Sequence, residues 1–528
     1  MGWSTSEAKD NAIMCPGRPG KSMVKRANTG STDRIRPRPQ ERCQQNPQVA
    51  RRTSGSMWRG SILPASASFS NASRIEQNGH GLRGDRNRTP TLNAVSAQKP
   101  REIAARILQQ HARTGQFVDA LLERELAGET LSPADRRLCQ ELVYGVVRWR
   151  ATLDWLIARK TGDRAQPPRL QDVLRLGLYQ IFWLNRIPDH AAVHETVELA
   201  KRLGLAPQAG FVNAVLRAYL REAGPTRQLL HELQATAPHL GWSHPEWLVR
   251  RWLDRWGPDR TRQLLHWNNT PARNYARVNL LKTDPARLLE RWRQKENVEY
   301  DFFRRDWLEE NLVFELRHHP PLARLGSFWD GWFYVQDPST LLAVNILQPR
   351  PGHRLLDWCA APGGKTTYAA QRMENQGRIL ARDTDPERLE MLRENCERLG
   401  ITCAEILPAE APWPDWARQG FDRVLVDVPC SNTGVLRRRV DLRWRLQGEE
   451  LHRLPPTQLE LLKQAAQHVR PGGLVVYSTC SLEPEENEQV VRAFLQTTPG
   501  FSLEQERILL PFVDGVDGAY VARLRRRG

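Results

Sequence analysis

Long apolar runs are missing from this chain of 528 residues. No stretch of about 18 consecutive apolar residues occurs, so no membrane span is expected. The N-terminus lacks an apolar core of the secretory kind, so no secretion signal is expected either. Cysteine is scarce, with eight residues at positions 15, 43, 139, 359, 396, 403, 430 and 480. They form no Cys-x-x-Cys pair and no spacing with histidine that would hold a metal, so no metal site is expected. A reduced, cytoplasmic protein is the simplest expectation.

Charge is present in excess but unevenly placed. The formal net charge is +17, yet residues 1–100 hold 17 Lys and Arg against 6 Asp and Glu, leaving 60 against 54 for the rest. A basic balance of this kind supports polyanion binding without naming a partner. Residues 1–97 are rich in Arg, Ser, Gly, Pro and Asn and show neither the helical nor the strand period. Such a segment is expected to be disordered, because it cannot bury enough surface to offset its chain entropy. An RNA-binding arm and a start site placed too far upstream are the alternatives for it.

From Lys99 the pattern becomes helical. REIAARILQQH, FVDALLERELA and SPADRRLCQELVYGVVRWRATLDWLIARK read as amphipathic helices, the last capped by Ser132 with Pro133 in its first turn. LQDVLRLGLYQIFWLNRI, AAVHETVELAKRL and AGFVNAVLRAYLRE continue the series, making residues 99–223 an all-α domain. Residues 240–345 mix helix and strand, with ARVNLLKT as a strand and DPARLLERWRQ as a helix. They read as a small α/β module and linker, in which Trp252 and Trp256 are core residues rather than base-stacking platforms. Residues 346–528 alternate short apolar strands (RLLDW, RILAR, CAEIL, FDRVLVD, GGLVVYS) with helices. The alternation predicts an α/β domain with a doubly wound, Rossmann-like parallel sheet, whose ligands sit at the carboxyl ends of the strands.

The first strand runs into DWCAAPGGKTTY, residues 357–368. A phosphate-binding loop would need glycine where Cys359 stands, and Pro362 removes one of the amides such a loop uses. What is left is a small-residue turn at a helix N-terminus, suited to a ligand approached closely by backbone. Asp383, at the end of the second strand, is placed to bond a ribose diol, whereas Asp385 before Pro386 reads as a helix cap. The nucleoside could belong to NAD or to S-adenosylmethionine.

Two later strands end in cysteine motifs: FDRVLVDVPCSNTG, with Asp427 and Cys430, and LVVYSTCSLEPEENE, with Cys480. A lone cysteine at a strand end is usually an inert small hydrophobe. Two of them beside an acidic group and a nucleoside site suit C5 methylation of a pyrimidine, for which hydride transfer offers no counterpart. A thiolate adding to C6 makes C5 nucleophilic, and a carboxyl group such as Asp427 at the N3/N4 edge assists. A second cysteine, or a water it orders, can serve the exit of the C5 proton and the thiol.

DWCAAPGGKTTY, DTDPERL, FDRVLVDVPCSNTGVLRR, RPGGLVVYSTCSLEPEENE and the terminal DGAYVARLRR closely resemble the Sun/Nop family of RNA cytosine-5 methyltransferases, over residues 240–525. LCQELVYGVVRWR and AAVHETVELAKRLG, followed by GFVNAVLR, resemble the NusB-type RNA-binding domain. The combination is similar to the bacterial members of that family that act on the small ribosomal subunit. The resemblance implies S-adenosylmethionine as cofactor, one cytosine of 16S ribosomal RNA as substrate, and no membrane or metal partner; a monomer is expected. It implies Cys480 as nucleophile and Cys430 as the residue assisting release. It gives the donor site to Cys359, Ala360, Ala361, Pro362, Gly363, Gly364, Lys365, Asp383 and Asp427, with Lys365 lining the active site. One position departs: the family's Gly-Asp after the third strand is replaced by Leu407-Pro408-Ala409-Glu410, which leaves Glu410 as a substitute contact. Other readings are a methyltransferase of DNA or another RNA, and a non-catalytic RNA-binding protein with a vestigial sheet.

Overall fold

The computed structural model describes residues 99–129 and 131–528; the tail expected to be disordered, 1–97, lies outside the described residues. Seven helices open the chain: α1 (Lys99–Thr114), α2 (Val118–Ala127), α3 (Pro133–Arg148), α4 (Arg150–Thr161), α5 (Pro168–Trp183), α6 (Asp189–Arg202) and α7 (Ala209–Arg221). The predicted cap is present, with Ser132 accepting from the Asp135 amide and Pro133 in the first turn. One expectation is corrected: the segment read as a single helix from Pro133 is two, α3 and α4, which meet at Trp149. Tertiary structure overrides the continuous apolar period there, because the Ala151 amide is taken by the Ser243 hydroxyl at 3.0 Å. Leucine, isoleucine and valine from all seven helices meet in one core, the burial that stabilises an amphipathic bundle.

Helices α8 (Ala223–Thr236), α9 (Pro238–Gly241) and α10 (Glu246–Asn269) follow, α10 breaking at Gly257 ahead of Pro258. A four-stranded antiparallel sheet comes next, built from β1 (Asn274–Val278), β2 (Glu299–Phe302), β3 (Val313–His318) and β4 (Phe333–Val335) in the order β2-β3-β1-β4. Helices α11 (Pro285–Arg291) and α12 (Gly326–Trp329) belong to it, and α13 (Leu341–Leu347) leads on. Trp252 is fully buried in a core cluster with Trp256 against it, as the sequence predicted.

The last region holds β5 (Arg354–Asp357), α14 (Gly364–Arg372), β6 (Arg378–Asp383), α15 (Pro386–Leu399), β7 (Ala404–Pro408) and β8 (Phe421–Asp427). After them come α16 (Leu442–Arg445), α17 (Glu450–Ala466), β9 (Val469–Thr479), α18 (Glu488–Thr497), β10 (Phe501–Leu509), α19 (Pro511–Asp514) and β11 (Ala519–Arg526). Its sheet has the order β10-β11-β9-β8-β5-β6-β7, with β5 to β9 parallel. The sheet is therefore mixed, since β11 pairs antiparallel with β9 and β10 with β11. Strand order reverses between β5 and β8, so a crevice opens at the carboxyl ends of those two strands. No helix among the described residues is long and apolar enough to cross a membrane.

Residues 436–446, which follow the Cys430 motif, form a wedge between the sheet and the helices. Arg443 is wholly buried and donates to the Ser243 carbonyl at 3.2 Å, the Asn269 side chain at 2.7 Å and the Asn268 carbonyl at 2.9 Å. Trp444 donates to the Val147 carbonyl at 2.7 Å, Asp441 accepts from the Val118 amide at 3.0 Å, and the Arg445 guanidinium lies 3.8 Å from the centre of the Phe117 ring. Removing a buried cation that serves several carbonyls leaves them unpaired, each at about 1–3 kcal/mol. Arg443→Met is expected to destabilise the protein by about 3 kcal/mol or more in urea unfolding, and to speed amide exchange in residues 436–446. Unchanged stability would show that the wedge contributes little.

Candidate active site

Each strand facing the crevice ends in a polar group: Asp357 on β5, Asp383 on β6, Asp427 on β8, and Cys480 directly after β9. Between Asp357 and α14 the chain turns through Cys359 to Gly364. Gly363 has φ of +102°, and a Cβ there would stand 2.3 Å from Leu392 Cδ1, so both conformation and space call for glycine. The Ala361 amide donates to Asp383 Oδ2 at 3.0 Å and the Gly363 amide to the Ala360 carbonyl at 2.9 Å. These amides are thus spent internally, and three carboxylates converge nearby, which removes the phosphate-binding reading on physical grounds. Arg277, buried on β1, braces the turn by donating to the Gly364 carbonyl at 2.9 Å and Thr367 Oγ1 at 3.1 Å.

Asp383 is buried, and its Oδ1 also accepts from the Asp385 amide at 3.2 Å. Asp385 caps α15 as predicted, accepting from the Glu387 and Arg388 amides. Asp357 was not singled out from the sequence, although its place at a strand end matches Asp383 and Asp427. Its Oδ2 accepts from Thr366 Oγ1 at 2.7 Å, whereas Oδ1 is buried without a partner. Burial pushes the Asp357 carboxyl up to about 7. An unpaired buried carboxylate oxygen beside a glycine-rich turn fits the ammonium end of an amino-acid-bearing nucleoside. Cys359 is half-buried, and burial first, then Asp383, Asp427 and Asp357, drives its thiol far above the ordinary range. It is therefore a lining group rather than a reactive one. Glu410 is exposed after β7, where Arg382 donates to the carbonyls of Pro408, Ala409 and Ala411.

The other end of the crevice lies across β8 and β9. Lys365 Nζ meets Asp427 Oδ2 at 2.7 Å, and the Ser478 hydroxyl donates to Asp427 Oδ1 at 2.7 Å. Burial works against the Lys365 ammonium, but Asp427 and then Cys480 hold its pKa above the ordinary lysine value. The thiols of Cys430 and Cys480 are 3.3 Å apart, and Cys480 Sγ donates to Asn432 Oδ1 at 2.8 Å. The turns that carry them touch through Gly434, whose amide donates to the Cys480 carbonyl at 2.9 Å. A Cβ on Gly434 would lie 2.6 Å from the Gly518 carbonyl oxygen and 2.7 Å from that of Cys480. All the residues expected at the site therefore line one crevice, apart from Glu410 at its edge. Asn432, Ser478 and the buried Glu486 were missed. All three lie inside quoted motifs, but nothing local marks their contacts.

A Rossmann-like sheet with this turn, these strand-end acids and this thiol pair defines an S-adenosylmethionine-dependent methyltransferase. Residues 344–525 match the profile of the family described as 16S rRNA methyltransferase RsmB/F, residues 98–221 that of the NusB family, and residues 244–304 that of an RsmF/B-like ferredoxin-like domain. The chain is 34% identical over 450 residues to the probable ribosomal RNA small subunit methyltransferase B of Bacillus subtilis, covering 81% of this chain and 99% of that protein. It is 38% identical over 413 residues to the probable protein of the same name from Synechocystis, covering 75% and 89%. The crystal structure of PH0851 has a similar fold, with TM-score 0.65 and 24% identity, over 81% of this chain and 99% of that one. The chain belongs to the RsmB/F family of 16S rRNA methyltransferases.

Because the folded protein holds the Asp357 proton more tightly than an unfolded chain does, the associated stability is present at low pH. It is lost as pH rises from the ordinary carboxylate range through about 7. Asp357→Asn keeps an acceptor for Thr366 and removes the titration. In ligand-free protein the variant's melting temperature is expected to overtake the wild type's as pH rises through that window; parallel pH curves would refute the shift.

Proposed function

We propose that this protein methylates C5 of one cytosine in 16S ribosomal RNA through a covalent bond between Cys480 and C6 of the base. The observation that carries the reading is the pair of thiols 3.3 Å apart beside the Lys365–Asp427 ion pair. The substrate is inferred from the relatives, which are named ribosomal RNA small subunit methyltransferases. On this reading the protein works as a monomer in the cytoplasm, with RNA as its partner.

S-adenosylmethionine, when bound, supplies an electrophilic methyl group. The residues that would hold it are Asp357, the turn from Cys359 to Lys365, Asp383 and Asp427. The target base has to leave its stack before a thiol can reach C6. Lys365, held by Asp427 at 2.7 Å, carries the positive charge of the site when the Cys480 sulfur adds to C6. Asp427 takes a hydrogen bond from the exocyclic amine as the ring's electrons move towards N3, and Lys365 and Ser478 fix its orientation. As the sulfur–C6 bond forms, the C5–C6 double bond opens and C5 becomes the nucleophile that accepts the methyl group. The C5 proton then leaves to a water beside Cys430. Its electron pair restores the C5–C6 double bond and expels the Cys480 thiolate.

Cys430→Ala protein, given S-adenosylmethionine and unmethylated small-subunit RNA, is expected to accumulate a protein–RNA adduct that survives a denaturing gel. The adduct should vanish in the Cys430→Ala/Cys480→Ala double variant. Methylation by wild type with no adduct in Cys430→Ala would refute the division of roles. A second expectation concerns Asp357: an ammonium group at its unpaired oxygen favours the ionised form, so cofactor binding near pH 7 should release protons. Calorimetry in two buffers of different ionisation heat measures this release, and binding without it would remove Asp357 from the cofactor contacts.

A further inference from the structure

Behind the two thiols lies a carboxylate that the reaction scheme does not use. Glu486 is fully buried and accepts from the Ser431 amide at 2.8 Å, the Ser431 hydroxyl, the Ser481 hydroxyl at 2.5 Å and Gln458 Nε2 at 2.9 Å. Ser431 follows Cys430 and Ser481 follows Cys480, so a single carboxylate fastens both turns. Gln458, from α17, also donates to the Pro429 carbonyl at 3.0 Å and secures the turn before Cys430. Each of these four groups presents a donor, an arrangement suited to the ionised, acceptor-only form. Burial raises the Glu486 pKa, and the donors oppose the rise.

The surroundings of the two thiols differ. On the Cys480 side stands Lys365, whose raised pKa owes a share to Cys480 and whose ammonium Asp427 holds in place from β8. Cys430 feels Glu486. Its thiol is held well above the ordinary range by its bond to Cys480 first, then by burial and by the charges of Cys480 and Glu486. Tyr477, on β9, is a further titratable neighbour, and its hydroxyl donates to the Glu486 carbonyl at 2.6 Å.

We propose that Glu486 is a positioning residue that divides the labour of the two cysteines: it locks their turns together and sets its negative charge behind Cys430, leaving Lys365 to act on Cys480. Cys430 then stays a thiol while Cys480 attacks, and it orders the water that takes the C5 proton. This deepens the proposed function and rests on it for the meaning of the roles. The charge asymmetry itself can be measured without RNA or cofactor.

The test is pulse alkylation of the full-length protein with iodoacetamide at about pH 7.5, with modification at each cysteine read by mass spectrometry. Glu486→Gln is expected to raise the Cys430 rate about tenfold, since the rate follows the thiolate fraction. The Cys480 rate should change little, and methyl transfer should fall. Glu486→Asp keeps the charge and should leave Cys430 slow. An unchanged Cys430 rate in folded Glu486→Gln, or a Glu486→Asp rate as fast as that of Gln, would overturn the proposal. Should Glu486→Gln not fold, two cysteine variants decide the matter. Cys430 in Cys480→Ala should alkylate about tenfold more slowly than Cys480 in Cys430→Ala, and equal rates or the reverse order would overturn it. Failure of the proposed function would show separately, as absence of the RNA adduct with these alkylation rates intact.

Discussion

The close approach of two turns, each ending a neighbouring parallel strand, is the constraint on which the rest of the structure depends. A thiol pair at 3.3 Å requires the backbones after β8 and β9 to touch, and they do so where Gly434 has no side chain to intervene. The Gly518 amide in turn donates to the Gly434 carbonyl at 2.9 Å, joining the loop before β11 to the same contact. Tight backbone contact of this kind is conditional on its polar groups being paired. That pairing comes from Ser431, Thr433 and Ser481 around Glu486, with the Thr433 hydroxyl accepting from the Leu482 amide at 2.9 Å.

Neither turn is held by the sheet alone. The Cys430 side continues into the wedge that Arg443 and Trp444 bind to the first helices. Arg438, a few residues earlier, is clasped by Asp337 and Asp517 at 2.7 and 2.5 Å, which ties in the end of the four-stranded region. The Cys480 side is gripped by α10, where Trp252 Nε1 donates to Glu483 Oε1 at 3.0 Å and Arg251 meets Glu483 and Glu485. Buried ion pairs of this sort add little net stability, because desolvation offsets the attraction, but breaking one partner is costly. Their effect here is to fix one arrangement of the cysteine turns. The helical region and the small sheet are accordingly part of the scaffold that holds the two cysteine turns.

Electrostatics then separates groups that look alike in the sequence. Asp357, Asp383 and Asp427 each end a strand, yet one has an unpaired oxygen, one braces the glycine turn, and one is bound to lysine. A cavity of about 560 Å³ lined by Trp413, Gly420, His468 and Arg470 lies at the opposite, amino ends of β8 and β9. Its location sets it apart from the strand-end chemistry.

Much of this protein was legible in one dimension. The helical and strand periods gave the elements, the turn residues gave the caps at Ser132 and Asp385, and the motifs marked the crevice, because periodicity and adjacency are local properties of the chain. The break at Trp149 and the antiparallel β10 and β11 were not legible, since a hydroxyl from elsewhere and sheet-edge pairing decided them. Two cysteines in promising motifs were apparent from the sequence, but their different surroundings were not. Those surroundings come from residues far apart: Lys365 and Asp427 are separated by 62 positions and Ser431 and Glu486 by 55. The sequence by itself determined which polar groups and thiols stand at the strand ends, through their identity and their place in the motifs. Only the tertiary structure decided which side chains gather around the two thiols, because Coulombic influence depends on distance in space and not along the chain.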